Sequence, residues 1–240
     1  MKIIITMAGD GTRFKNKGIN QPKHKIVVKG RTLFEYAMLS LNTFFNNEFI
    51  FIGRKEHQND GFIRDKCLSL GIKKYHIINL SQPTNGQATT VLKAKDLLYN
   101  NDSIVIYNID TYVEADTINQ TDIKGDGWIP SFRVAGNRWS FVVTKDSDRV
   151  TRVAEKERIS DLATIGLYYF SSFKLFQEAY NQWGYGNKEK YIAPLYNHLI
   201  KEGLPVFAKI IPSDKVHVLG TPKDVKIFDP DFMNNPYKNI

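Results

Sequence analysis

Short β-branched or aromatic runs alternate with segments of helical apolar spacing over the first ~110 residues. Lys2 to Thr6 is such a run and ends in the loop Ala8-Gly9-Asp10-Gly11-Thr12-Arg13. Thr32, with Glu35 three places on, has the arrangement of a capping box. Leu33, Phe34, Tyr36, Ala37, Met38, Leu41 and Phe44 then give a wide apolar helix face. The pattern next predicts a strand over Phe49 to Gly53, a polar helix over Lys55 to Leu70 and a strand over Tyr75 to Leu80. A helix over Gln87 to Leu98 and a strand over Ser103 to Ile109, ending at Asp110, complete this half. Strands alternating with helices imply βαβ crossovers and a mostly parallel sheet covered on both faces. Ligands of such sheets bind outside the carboxyl ends of the strands. The glycine loop and Asp110 are therefore expected on one rim.

From Gly125 the pattern turns strand-rich: Trp128 to Val134, Trp139 to Thr144, Val150 to Ala154 and Ala163 to Phe170. Phe173 to Trp183 and Tyr191 to Glu202 read as helices, and Val206 to Ile211 and Val216 to Leu219 as strands. Pro222 opens a short helix where proline is best tolerated. The tail Asn234 to Ile240 reads as frayed. No repeat or low-complexity linker divides the chain. The expected fold is a single Rossmann-like α/β domain over 1–240, a mixed, mostly parallel twisted sheet with helices on both faces.

Composition narrows the class. With 42% hydrophobic and 24% charged residues the chain supports a full core. Its longest apolar runs, such as Phe49 to Ile52, are strand-sized, and no signal-peptide pattern is read at the N-terminus. Cys67 is the sole cysteine, which excludes an intrachain disulfide and a cysteine-built metal site. These readings point to a cytoplasmic protein that does not enter a membrane. The net charge of +8 favours anionic partners. Its lysines are scattered without a basic block or aromatic-interleaved motif, so a lysine-rich soluble surface is the favoured explanation and nucleic acid is not expected.

The loop after the first strand carries the first chemistry. Gly9-Asp10-Gly11-Thr12-Arg13-Phe14 has two glycines of a dinucleotide fingerprint, but Phe14 stands where the third would be, and no P-loop motif occurs. Two glycines still let backbone N–H groups approach a phosphate, and Arg13 adds a planar fork for it. A simple glycine turn with a solvent arginine remains the alternative.

Read further, Thr6 to Phe14 is followed by Pro22-Lys23 and then Ile26-Val27-Val28-Lys29-Gly30-Arg31-Thr32-Leu33. This closely resembles the signature of the sugar-phosphate nucleotidyltransferases: a GxGxR loop, a Pro-Lys pair, then an apolar strand and a helix. The resemblance implies a transfer of NMP from Mg²⁺-NTP (Mn²⁺ as an alternative) to a phosphorylated acceptor, with release of pyrophosphate. By position it gives Ala8, Gly9, Gly11 and Thr12 the nucleotide, Arg13 the β- and γ-phosphates, and Lys23 the α-phosphate. Pro83-Thr84-Asn85-Gly86-Gln87-Ala88 falls where the family reads the nucleobase, so Gly86 would admit the base and Gln87 bond its edge; a helix N-cap turn is the other reading. Tyr107-Asn108-Ile109-Asp110-Thr111 matches the strand end at which Asn108 meets the nucleotide and Asp110 binds the metal; a turn cap is the other reading. An acceptor-binding subregion at about 125–200 is implied, in which Glu155 and Lys156 contact the acceptor and Gly166 permits its approach. Glu155 and Lys156 could equally be a solvated doublet, and Trp139 and Ser140 either acceptor-side or core.

One departure stands out. The family usually carries an aspartate, a second metal ligand, two residues before a Gly-Thr pair, and here Val218 precedes Leu219-Gly220-Thr221. Asp214 and His217 are the nearest substitutes in sequence; otherwise Asp110 acts alone. The compact chain looks most like the cytidylyl- and sugar-nucleotide transferases of bacterial capsule loci, among them those using CTP and L-glutamine phosphate. CTP is therefore the favoured donor, a sugar 1-phosphate the alternative acceptor, and a homo-oligomer stays open. A glycosyltransferase of the same fold and a non-catalytic nucleotide-binding module are the rivals from other classes.

Overall fold

The computed structural model describes residues 1–146, 148–182 and 189–232. Its elements follow in chain order. The first half holds β1 (Lys2–Met7), α1 (Thr12–Lys15), β2 (Val27–Val28), β3 (Arg31–Thr32), α2 (Leu33–Leu39), β4 (Glu48–Arg54) and α3 (Asn59–Leu70). Then come β5 (Tyr75–Leu80), α4 (Gln87–Val91), β6 (Ile104–Tyr107), β7 (Thr111–Val113), β8 (Gly127–Arg133), β9 (Ser140–Lys145) and β10 (Arg149–Glu155). The last are β11 (Leu162–Thr164), β12 (Leu167–Phe170), α5 (Phe173–Gln182), α6 (Tyr196–Lys201), β13 (Val206–Ile211), β14 (Val216–Val218) and α7 (Pro222–Phe228).

Ten of these strands form one sheet in the order β11-β9-β10-β13-β8-β12-β6-β1-β4-β5. The sheet is mixed. Strands β5, β4, β1 and β6 run parallel, as the alternation requires, whereas β12 enters antiparallel to β6 and begins the hairpin-rich half. Parallel strands must be covered on both faces, and β1 shows it: Ile3 and Ile5 join one buried cluster, and Ile4 joins the other.

Local chemistry fixes the helix ends near the rim. Thr32 accepts from the Glu35 amide at 3.2 Å, and the Glu35 carboxylate accepts from the Thr32 amide at 2.8 Å, so the capping box forms as expected. Thr221 caps α7, with Pro222 in its first turn. The anticipated helix from Lys55 starts only at Asn59, because Gln58 at φ +47° breaks the run. The anticipated helix Gln87 to Leu98 tightens to a 3₁₀ turn over Leu92–Leu97, and the strand expected from Ala163 to Phe170 breaks at Gly166. Trp183 and the tail from Asn234 lie outside the described residues.

A third cluster, away from the main sheet, includes Phe14, Ile19, Ile26, Val28, Leu33, Tyr36, Leu219 and Val225. It packs the segment after the glycine loop against the C-terminal helix, and so brings Lys23 to the rim. No helix among the described residues is long and apolar enough to cross a membrane.

Candidate functional site

Strands β1 and β6 are paired parallel with Ile5 opposite Tyr107, so the loop after β1 and the residues after β6 leave the sheet side by side. Phe14 is the buried residue of α1, which explains an aromatic residue where a dinucleotide fold has glycine. Above it, the Lys23 ammonium lies 5.6 Å from the Phe14 ring centroid. It donates to Asp110 Oδ2 at 2.6 Å and to the Gly220 carbonyl at 3.2 Å. Residues far apart in sequence thus meet at one point of the rim. Gly9, Thr12 and Arg13 are exposed beside it, and Ala8 and Gly11 are half-buried.

Two residues that the sequence reading left out shape this loop. Arg54, buried at the end of β4, donates to Asp10 Oδ1 at 3.0 Å and pairs with Glu56 at 3.2 Å. Thr6 Oγ1 accepts from Gln87 Nε2 at 2.9 Å, tying the start of α4 to β1. A charged residue at a strand end and a threonine in a strand carry no local signal of either contact.

Gly86 and Gly166, two of the four glycines singled out from sequence, are each required for a reason internal to the chain. Gly86 has φ +101°, and a Cβ there would stand 2.5 Å from the backbone nitrogen of Lys190. The side of Gly86 that a Cβ would occupy is filled by the crossing 190 backbone, which accepts from Ala88 N and donates to the Asn85 carbonyl, both at 2.9 Å. Gly166 has φ +82°, and a Cβ there would fall 2.0 Å from Asn108 Nδ2. The side of Gly166 that a Cβ would occupy is thus taken by the Asn108 amide. The amide oxygen of Asn108 is buried and has no hydrogen-bond partner. Such an atom costs about 1–3 kcal/mol when left unpaired, so a donor from a bound molecule would stabilise it.

On the other flank, Glu155 pairs in register with Ser140 across β10 and β9, and its carboxylate accepts from the Ser140 hydroxyl. Burial pushes the Glu155 carboxyl above its ordinary range. Lys156 has a left-handed backbone, φ +56°, and its ammonium donates to the Tyr191 hydroxyl, which raises its pKa. Trp139 packs on the core and on Phe132, with its indole N–H buried and unpartnered. Trp139, Ser140, Glu155 and Lys156 thus lie together on and beside the β9–β10 hairpin, while Gly166 lies between β11 and β12.

The departure at Val218 has a structural sequel. Val218 pairs with Thr111 across β14 and β7. His217 is taken up by Glu114 at 3.4 Å and by stacking on Tyr112, and Asp214 is exposed in the preceding turn. The carboxylate that does approach the rim is Asp224. Asp110 Oδ2 and Asp224 Oδ2 lie 3.5 and 3.7 Å from the position a Cβ on Gly220 would take. Asp224 is already engaged: Arg138 donates to it at 2.6 and 3.2 Å, and the Thr221 hydroxyl at 2.7 Å. Thr221 to Asp224 is a T-x-x-D capping pattern, the one sequence signal that marked Asp224. No group of three or more His, Cys, Asp or Glu side chains converges as a metal cage among the described residues.

Neither a protein-family model nor a curated protein sequence matches the chain. Solved structures do. The inositol-1-phosphate CTP transferase from T. maritima superposes with a TM-score of 0.75 at 12% identity, covering 93% of this chain and 90% of its own. A UDP-glucose pyrophosphorylase complexed with UDP-glucose has a TM-score of 0.75 at 15% identity, covering 97% and 98%. At those identities the likeness is one of fold. The nucleoside-diphosphate-sugar pyrophosphorylase from Vibrio cholerae RC9 is nearer in sequence, at 35% identity and a TM-score of 0.87, with 95% of this chain and 99% of that one covered. Identity at that level over almost the full length of both places the chain in the nucleoside-diphosphate-sugar pyrophosphorylase family of nucleotidyltransferases.

Proposed function

We propose that this nucleotidyltransferase moves NMP from Mg²⁺-NTP, with CTP favoured, to the phosphate of a small-molecule acceptor. The observation that carries the reading is the meeting of Lys23 and Asp110 at 2.6 Å beside the glycine loop. In the reaction an acceptor phosphate oxygen forms a bond to the α-phosphorus, and the bond from that phosphorus to the bridging β-oxygen breaks. Pyrophosphate leaves with the electron pair. The acceptor is already an anionic oxygen nucleophile, so the protein's task is to position groups and to stabilise charge.

Arg13, exposed at the loop, suits the β- and γ-phosphates, and Lys23 the charge that builds on the α-phosphoryl oxygens. Ala8, Gly9, Gly11 and Thr12 line the loop. Asn108 offers its unpaired amide oxygen to a nucleotide hydroxyl, and Gln87 keeps an amide oxygen for a base edge. Asp110 presents a half-exposed carboxylate of the kind a hard divalent cation takes, and Mg²⁺ is commonly held by one or two carboxylates plus phosphates and water. With position 218 apolar and Asp224 bound to Arg138, Asp110 would hold Mg²⁺ alone, and the ion would neutralise phosphate charge there. Glu155 and Lys156 face the acceptor.

L-glutamine phosphate is the favoured acceptor, on overall likeness of the chain to the cytidylyltransferases that use it. A sugar 1-phosphate is the second reading, favoured by the 35% identical relative described as a nucleoside-diphosphate-sugar pyrophosphorylase. The test crosses the four NTPs with phosphorylated acceptors, L-glutamine phosphate and sugar 1-phosphates included, and reads pyrophosphate release. CTP with L-glutamine phosphate should give the fastest release. A faster rate with a sugar 1-phosphate supports the second reading, and no release with any pair overturns both.

A further inference from the structure

We propose that Arg138 binds the phosphate of the acceptor, an assignment that rests on the nucleotidyl-transfer reading above. Arg138 stands in the connection from β8 to β9, one residue before Trp139 and two before Ser140, the partner of Glu155 on the β9–β10 hairpin. Its guanidinium crosses to the C-terminal helix and grips Asp224 with two bonds, at 2.6 and 3.2 Å. The two ends are unequal: the Asp224 side chain is 7% exposed, and that of Arg138 is 52% exposed. A buried carboxylate therefore fixes the plane of a guanidinium whose other edge is open. Arginine has five N–H donors, and the two bonds to Asp224 leave three. The Trp139 ring supports the same group from one face, 4.6 Å from centroid to guanidinium carbon.

The position suits the chemistry. Asp224 and Asp110 approach the same side of Gly220, and the carbonyl of Gly220 holds Lys23. Arg138 thus lies between the hairpin assigned to the acceptor and the point assigned to the α-phosphate, where the nucleophilic phosphate has to sit. Lys156, the cation beside Glu155, is tied to the Tyr191 hydroxyl, and Tyr191 in turn donates to Glu189. A planar fork with a free edge matches a phosphate dianion better than an ammonium does. The buried, unpartnered indole N–H of Trp139 is a further donor in this immediate neighbourhood.

The probe is inorganic [³²P]phosphate, the shared core of every phosphorylated acceptor, followed by equilibrium dialysis. It is run on the full chain with and without Mg²⁺ and α,β-methylene-CTP in the nucleotide site. Arg138→Met alone would strand the buried Asp224 charge, so Arg138→Met/Asp224→Asn is the main variant and Arg138→Lys the conservative one. The double variant should bind phosphate at least about tenfold more weakly than wild type, with Arg138→Lys in between. Nucleotide affinity should stay within about twofold in both variants. Wild-type phosphate affinity in both variants would reduce Arg138 to a latch and overturn the proposal. So would a wild type that binds no phosphate under either condition. Blank pyrophosphate assays alongside Arg138-dependent phosphate binding would sink the transfer reading and leave the phosphate site standing.

Discussion

Gly166→Ala tests how tightly the rim is packed. At φ +82° the backbone of residue 166 is left-handed, which costs a residue with a Cβ about 1–2 kcal/mol. The new methyl would stand 2.0 Å from Asn108 Nδ2, 2.6 Å from Cγ and 3.0 Å from Oδ1, so the amide has to leave its place. Overpacking of that kind adds about 1–3 kcal/mol, for a total of about 2–5 kcal/mol. Urea unfolding followed by far-UV circular dichroism measures it. In an Asn108→Ala background the clash is gone, and the same substitution should then cost only the backbone share, about 1–2 kcal/mol. A loss below about 1 kcal/mol in the wild-type background, or equal losses in both, would refute the packing argument. Because Asn108 stands two residues before Asp110, the single variant should also raise the KM for the NTP.

Other expectations follow from the same geometry. Lys23→Ala should lower kcat about 10²–10³-fold while NTP affinity moves far less, since the charge it complements peaks in the transition state; pre-steady-state and binding measurements separate the two. Asp110→Asn should raise the half-saturating Mg²⁺ at least about tenfold, whereas Asp214→Ala and His217→Ala should leave it unchanged, as titration of Mn²⁺ binding by electron paramagnetic resonance would show. His24 is held down to about 3 from 6.5, by burial first and then by the neighbouring His57 and Lys25. Its folded pKa is depressed, so the unfolded chain takes a proton first as pH falls and stability drops from about pH 6.5 down to about 3. Between pH 7 and 5 this group alone costs about 2 kcal/mol, and His24→Gln should flatten the slope measured by urea unfolding.

What the sequence made legible was local or periodic. The strand–helix alternation up to Asp110 gave the parallel half of the sheet, and a fixed spacing gave the Thr32–Glu35 box and the proline start of α7. The convergence of loop and Asp110 followed from the rule that strand ends share a rim. Features set by distant contacts were hidden. Gly86 gives way to the backbone of residue 190 and Gly166 to Asn108, and neither neighbour is near in sequence. The break before α3 depends on one left-handed glutamine, Gln58, a conformation that its residue type does not announce. Arg138 and Asp224 are 86 residues apart, and Arg54 and Asp10 are 44 apart, so no window of sequence holds either pair. Val218 was visible as a departure, but what stands near Asp110 in its place was visible only in three dimensions.

The fate of labelled phosphate tests the central claim most directly. The protein is incubated with Mg²⁺, the acceptor that gives the fastest release and either [α-³²P]CTP or [γ-³²P]CTP, and products are separated by ion-exchange chromatography. The α-label should appear in a new acceptor-linked nucleotide and the γ-label only in pyrophosphate, in equal amounts, with both forming about 10²–10³-fold more slowly in Lys23→Ala. The γ-label in free phosphate or in the acceptor, or an α-label that never leaves CTP, would contradict nucleotidyl transfer at this site.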